Sequence, residues 1–135
     1  MANPISQQIK IGTIGELLVQ LRLLQFNVQS ASPIKDSGND LIAIRHNSVH
    51  AIQVKTTSNR NIPKKPDRSK IYTLLAIVEL DGFDNTLKLD SSNIYIMRKS
   101  EVDRTRLSWK SICNHKLCPE LIDELFRESS ELRLC

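Results

Sequence analysis

The stretch that decides the fold is GNDLIAIRHNSVHAIQVKTT, residues 38–57. Two Ile- and Val-rich runs, 41–45 and 49–55, flank a short polar turn, which predicts a β-hairpin. Three polar residues interrupt it: Asp40 at the mouth of the first run, and Gln53 and Lys55 inside the second. Side chains alternate faces along a strand, so Gln53 and Lys55 point the same way. With Asn47-Ser48 as a two-residue turn, Asp40 pairs with Lys55 and Ile42 with Gln53. The three polar groups then share one face, whereas a turn one residue longer would move Asp40 to the other.

Upstream, residues 5–26 read as a helix. Ser6 is placed to cap it, and apolar residues recur at three- and four-residue steps. These positions spread almost around the cylinder, which predicts packing on more than one side. Gly12 and Gly15 each weaken such a helix by about 1 kcal/mol relative to alanine, an expense that close approach to a neighbouring strand would offset. Glu16 shares a stripe with Ile9, Val19 and Leu23, so its carboxylate is directed inward and needs a cation.

Downstream, a short strand is expected at 27–31, before the hairpin. The basic run 57–70, with Pro63 and Pro66, reads as a long loop. YTLLAIVEL, 72–80, is a continuous apolar strand for the middle of the sheet, and NIYIM, 93–97, is another. DGFDN is a turn, residues 86–89 are strand or loop, and helices are expected at 101–106 and 119–127. The acidic end, ELIDELFRESSELRLC, reads as an amphipathic helix with a fraying tail. The order is α-β-β-β-β-β-α, an α/β fold with a mixed sheet and one domain over residues 1–135.

Charge is unevenly spread. Residues 1–70 hold ten Lys/Arg against four Asp/Glu, a net of +6; residues 71–135 hold nine against eleven, a net of −2. The excess peaks at Arg60, Lys64, Lys65, Arg68 and Lys70, a cluster suited to phosphates. No apolar run approaches the roughly 20 residues of a membrane span. The start, MANPISQQIKIG, lacks signal-peptide features, and three cysteines suit a reducing cytoplasm. Cys113, His115 and Cys118 have no evident fourth ligand for a zinc knuckle. No Gly-x-Ser-x-Gly or phosphate-loop pattern is present. His46 and His50 flank the hairpin turn, where exposure or DNA contact would account for them. Trp109 is expected in a core or interface.

Glu16, Asp40 and the Gln53/Lys55 pair thus come from three segments, and together they suit Mg²⁺-dependent phosphodiester hydrolysis. Mg²⁺ takes hard oxygens, here the Asp40 carboxylate, the Gln53 amide and the Val54 carbonyl. Lys55 would orient water or stabilise developing charge.

Glu16, Asp40 in GNDL, and Gln53-Val54-Lys55 followed by Thr56-Thr57 resemble the motif of the PD-(D/E)XK nuclease superfamily. GTIGELLVQLRLLQ, DSGNDLIAI, AIQVKTT and NIYIMRKSEV resemble its small intron-encoded homing and Mrr-like branches, over roughly residues 10–103. The pattern departs in two places: Asn39 rather than proline precedes Asp40, and Gln53 stands where an acid is usual, a Gln-x-Lys variant found in some branches. The resemblance implies a restriction-endonuclease-like domain with an αβββαβ-type core that cleaves double-stranded DNA with Mg²⁺, Mn²⁺ substituting. It implies Asp40, Gln53, Val54 and Glu16 around the metal and Lys55 as catalytic lysine. Arg60, Lys64, Lys65, Arg68, Lys70, Thr56 and Thr57 would contact DNA. Cutting both strands calls for a homodimer or higher symmetric oligomer. The alternatives are a Holliday-junction-resolvase-like nuclease, a non-catalytic nucleic-acid-binding module on the same fold, and a domain whose basic loop meets an acidic protein.

Overall fold

Ser6 caps the first helix, its hydroxyl accepting the Ile9 N–H at 3.2 Å, and α1 runs Gln7–Gln25. The structure is a computed structural model and describes residues 5–35, 38–82 and 86–127. Asp36, the centre of the DGFDN turn, and the C-terminal tail with Cys135 lie outside the described residues. Five strands follow α1: β1 Gln29–Ala31, β2 Leu41–Arg45, β3 Ser48–Thr57, β4 Leu74–Glu79 and β5 Asn93–Arg98. Among the described residues three short α-helices come after the strands: α2 Lys99–Arg104, α3 Trp109–Ile112 and α4 Pro119–Leu125.

The strands lie in sequence order, β1-β2-β3-β4-β5. All neighbours are antiparallel except β3 and β4, which run parallel. This is the mixed α/β sheet expected, with β4 in its interior. The parallel pair requires a crossover, and residues 58–73 make it as the loop read from the sequence, where the family resemblance would place a helix. α3 is an unexpected element, opened by a reciprocal Ser108–Ser111 capping box.

Alternation along β3 divides two cores. Ile52 and Val54 join Leu41, Ala43, Leu74 and Ala76 under α1 and α4, where Leu18, Val19, Leu23, Ile122 and Phe126 are nearly inaccessible. Burying each such aliphatic side chain stabilises the fold by about 1.5–3 kcal/mol. On the opposite face Leu75, Ile77 and Met97 pack with Val102, Leu107 and Ile112. α1 therefore packs on more than one side only in part: Leu17, Leu21 and Leu24 remain exposed.

The hairpin register differs from the one expected. Arg45 pairs with Ser48, so the turn is His46-Asn47, with His46 in the left-handed region at φ 55. Moving the turn by one residue moves every partner by two, so Ile42 faces Ala51 rather than Gln53. Faces are conserved within the ladder; partners are not.

Candidate functional site

β2 is five residues long and β3 is ten, so β3 continues past its last β2 pair, Leu41 with Ile52. Beyond that point its β2-side edge, carried by the Val54 and Thr56 backbone, has no strand beside it among the described residues. Asp40 occupies the head of this edge. Its N–H donates to the Ile52 carbonyl at 2.8 Å, although Ile52 is already paired with Leu41. Two residues opposing one is the signature of a β-bulge, and alternation fails there. The Asp40 carboxylate turns to β3, where Oδ2 accepts the Val54 N–H at 2.8 Å. Asp40 thus brackets Gln53, with its backbone on residue 52 and its carboxylate on residue 54. The expected pairing of Asp40 with Lys55 is replaced by this arrangement.

Along the open edge lies a groove of about 480 Å³. Gln8, Ile11 and Gly12 of α1 form one wall, residues 54–57 the floor, and Asn59, Asn61, Ile62 and Pro63 the other wall. Lys55 reaches this groove from the sheet face opposite α1, and Gln53 is half-buried on that same face. Glu16 lies on α1 one turn beyond Gly12 and is half-buried. Of the expected quartet, Lys55 lines the groove, Asp40 is joined to it through Val54, and Gln53 and Glu16 are not among its lining residues.

The two helix glycines act differently. At Gly15 a Cβ would overlap the Thr56 hydroxyl, so this glycine allows the helix to rest on β3, as expected from the sequence. Gly12 does not fit that expectation, because a Cβ there would meet nothing within 4 Å. Thr56 Oγ1 is buried with no hydrogen-bond partner. Thr57 Oγ1 donates to Asn59 Oδ1 at 2.8 Å, which also accepts the Asn61 N–H at 3.1 Å. That bracing fixes the turn in which Arg60 adopts φ 64.

The basic residues do not gather at one point. Lys64 and Lys65 line a depression with Asp103, Arg104 and Arg106, separated from the groove by the shared residues Ile62 and Pro63. Arg104 and Arg106 were not singled out in the sequence because helical pattern alone explained them. Arg60 faces a different recess with Glu79 and Asp81. Arg68 lies 4.0 Å from Asp103. Gly38, at φ 103, packs against the backbone of Lys70 and Ile71, which brings Lys70 beside the approach to Asp40.

The crossover carrying these residues is held firmly. Lys99 Nζ donates to the carbonyls of Arg68 at 3.1 Å and Lys70 at 2.7 Å while lying over the Tyr72 ring. Trp109 packs near Tyr95, as expected for a core residue, and its Nε1 donates to the Arg60 carbonyl at 2.8 Å. His50 belongs to β3 and binds inward: Nδ1 is 2.9 Å from Thr73 Oγ1 and Nε2 is 2.8 Å from the Leu125 carbonyl. It pins α4 to the sheet, while His46 stays exposed at the turn. The Cys113 and Cys118 thiols are free, and His115 sits 3.5 Å from Glu101.

Among the described residues no three His, Cys, Asp or Glu side chains are grouped to hold a metal ion. An all-carboxylate cage is thus absent there, but Mg²⁺ does not require one: it retains waters and takes one or two carboxylates with substrate phosphate. The oriented Asp40 carboxylate and the Val54 carbonyl on the same strand edge fit such a partial shell.

Neither a scan against protein-family models nor a search of curated protein sequences finds a match. The fold defines the class, an α/β domain with a five-stranded mixed sheet. Within it, the chain is similar to the solved structure of a bacterial homing endonuclease, I-Ssp6803I. The TM-score is 0.61 at 13% identity, covering 96% of this chain and 99% of that one. No helix among the described residues is long and apolar enough to cross a membrane.

Proposed function

We propose that this chain is a Mg²⁺-dependent endonuclease of double-stranded DNA, of homing or restriction type. The observation that carries the reading is the Asp40 carboxylate fixed on the N–H of Val54, a residue that lines the same groove as Lys55. The likeness in fold to a homing endonuclease supports it.

Asp40, Gln53 and the Val54 carbonyl would hold Mg²⁺, with Glu16 as a further ligand or a carboxylate behind the ligands. When bound, the ion supplies Lewis acidity at the phosphoryl group and eases deprotonation of the attacking water. Lys55 brings an ammonium to the groove floor, suited to orient that water and to stabilise charge developing on phosphate. Lys64, Lys65, Arg104 and Arg106 hold neighbouring phosphates. A chain with one such site cuts both strands as a homodimer or higher symmetric oligomer.

The test is plasmid DNA incubated with Mg²⁺ or Mn²⁺. Wild type nicks or linearises it, and Lys55→Ala binds DNA without cutting. Gln53 in place of an acid favours one other reading, a nucleic-acid-binding module without catalysis. Tight binding with no cleavage in either metal would establish that reading, and no binding at low salt would exclude both.

A further inference from the structure

The groove and the depression beside it differ in chemistry. The depression carries four cations, Lys64, Lys65, Arg104 and Arg106, against the single acid Asp103. The groove, beyond Lys55, presents Gln8, Ser58, Asn59 and Asn61 and no other charged side chain. Phosphates are neutralised by ammonium and guanidinium groups, whereas Gln and Asn carry the paired donor and acceptor that match base edges. Asn59 commits its Oδ1 to Thr57 and Asn61, so it presents a donor toward the groove.

Gly12 adds an independent observation. A glycine inside a helix costs about 1 kcal/mol relative to alanine. At Gly15 that cost is offset by contact with Thr56; at Gly12 no atom among the described residues occupies the space a methyl group would take. The bare backbone instead lines the groove that Gln8 and Asn61 also line. A helix surface stripped of its side chain at the groove wall admits a bulky ligand against the backbone.

We propose that this groove reads bases next to the cleaved phosphate, with Gln8 and Asn61 as the specificity-determining residues and Gly12 providing the space they need. The proposal rests on the endonuclease reading and names which part of that site selects sequence. The cationic depression then supplies affinity without selection.

The experiment uses a duplex oligonucleotide pool of randomised sequence, cut with Mg²⁺ by wild type, Gln8→Ala, Asn61→Ala and Gly12→Ala, with the ends sequenced. Gly12→Ala meets no protein atom, and circular dichroism checks that all variants fold. The expected result is a wild-type preference at positions adjoining the cut that falls roughly ten-fold in Gln8→Ala and Asn61→Ala, while total cleavage persists. Gly12→Ala is expected to lower cleavage despite a more stable helix. An unchanged preference, a loss spread evenly over all sequences, or a wild type that cuts without preference would each overturn base reading while leaving the endonuclease intact. Should wild type cut nothing, the same variants are compared in the sequences retained from the pool by binding. A relaxed preference there keeps the groove assignment though catalysis has failed, and no relaxation ends it.

Discussion

The Asp40 carboxylate accepts the Val54 N–H at 2.8 Å, across the point where β3 outruns β2. One group therefore satisfies a strand donor left without a ladder partner and orients an anion at the groove. Asparagine is nearly isosteric and retains an acceptor oxygen, so the two roles separate. Asp40→Asn is expected to unfold in urea within about 1 kcal/mol of wild type, and Asp40→Ala to lose about 1.5–3 kcal/mol. Both are expected to lose the proposed Mg²⁺-dependent cleavage. Full activity in Asp40→Asn would remove the carboxylate from the metal shell.

The two helix glycines should respond in opposite directions. Gly15→Ala drives a methyl into Thr56 and is expected to destabilise by about 1–3 kcal/mol, the usual range for overpacking. Gly12→Ala is expected to stabilise by up to about 1 kcal/mol. Denaturant midpoints of the two variants, measured side by side, check the contrast.

His50 should make the docking of α4 sensitive to acid. Burial lowers its pKa, and the charge of Arg98 does so further, outweighing the hydrogen bond to Leu125, which raises it. A histidine whose folded pKa lies below its unfolded value of about 6.5 takes up protons preferentially in the unfolded chain. Its contribution is therefore fully present above that value and is lost as pH falls below it, until the folded pKa is passed. His50→Gln, which retains an amide donor for Leu125, should flatten the pH dependence of Tm between about 7 and 5. An unchanged slope in that variant would assign the sensitivity elsewhere.

Lys99 should govern the order of the crossover. Its ammonium spans two carbonyls of the basic segment, and methionine fills similar space without those bonds. In Lys99→Met, tryptic cleavage after Arg68 and Lys70 is expected to accelerate several-fold. Global stability should move by about 1 kcal/mol, as expected when opening is local.

Helix α1, the hairpin and the apolar β4 were legible because each rests on periodicity over many residues. Ser6 was legible as a cap because its chemistry is local. The turn was misplaced by one residue, since Asn47 suits either turn position and nothing in the sequence marks His46 for φ 55. Asp40 defeated strand alternation because a bulge adds one residue at a place only the hydrogen bonds reveal. α3 was missed: it has four residues, and Ser111 rather than an acid completes its cap. The facing amides of the groove are not legible for another reason. Gln8 and Asn61 are more than fifty positions apart, and only the seating of α1 on Thr56 brings them to one groove.

The half-strand left without a neighbour has a further consequence, for solubility. An open β edge invites another extended chain to zip onto it, the usual route to edge-to-edge aggregation. Here Asp40 consumes the Val54 donor, α1 overhangs one side, the 58–63 turn overhangs the other, and Lys55 sets a charge on the floor. A flat intruding strand would have to bury that ammonium and displace that carboxylate. The residues we propose for phosphodiester cleavage would thus also deny the same edge to a polypeptide.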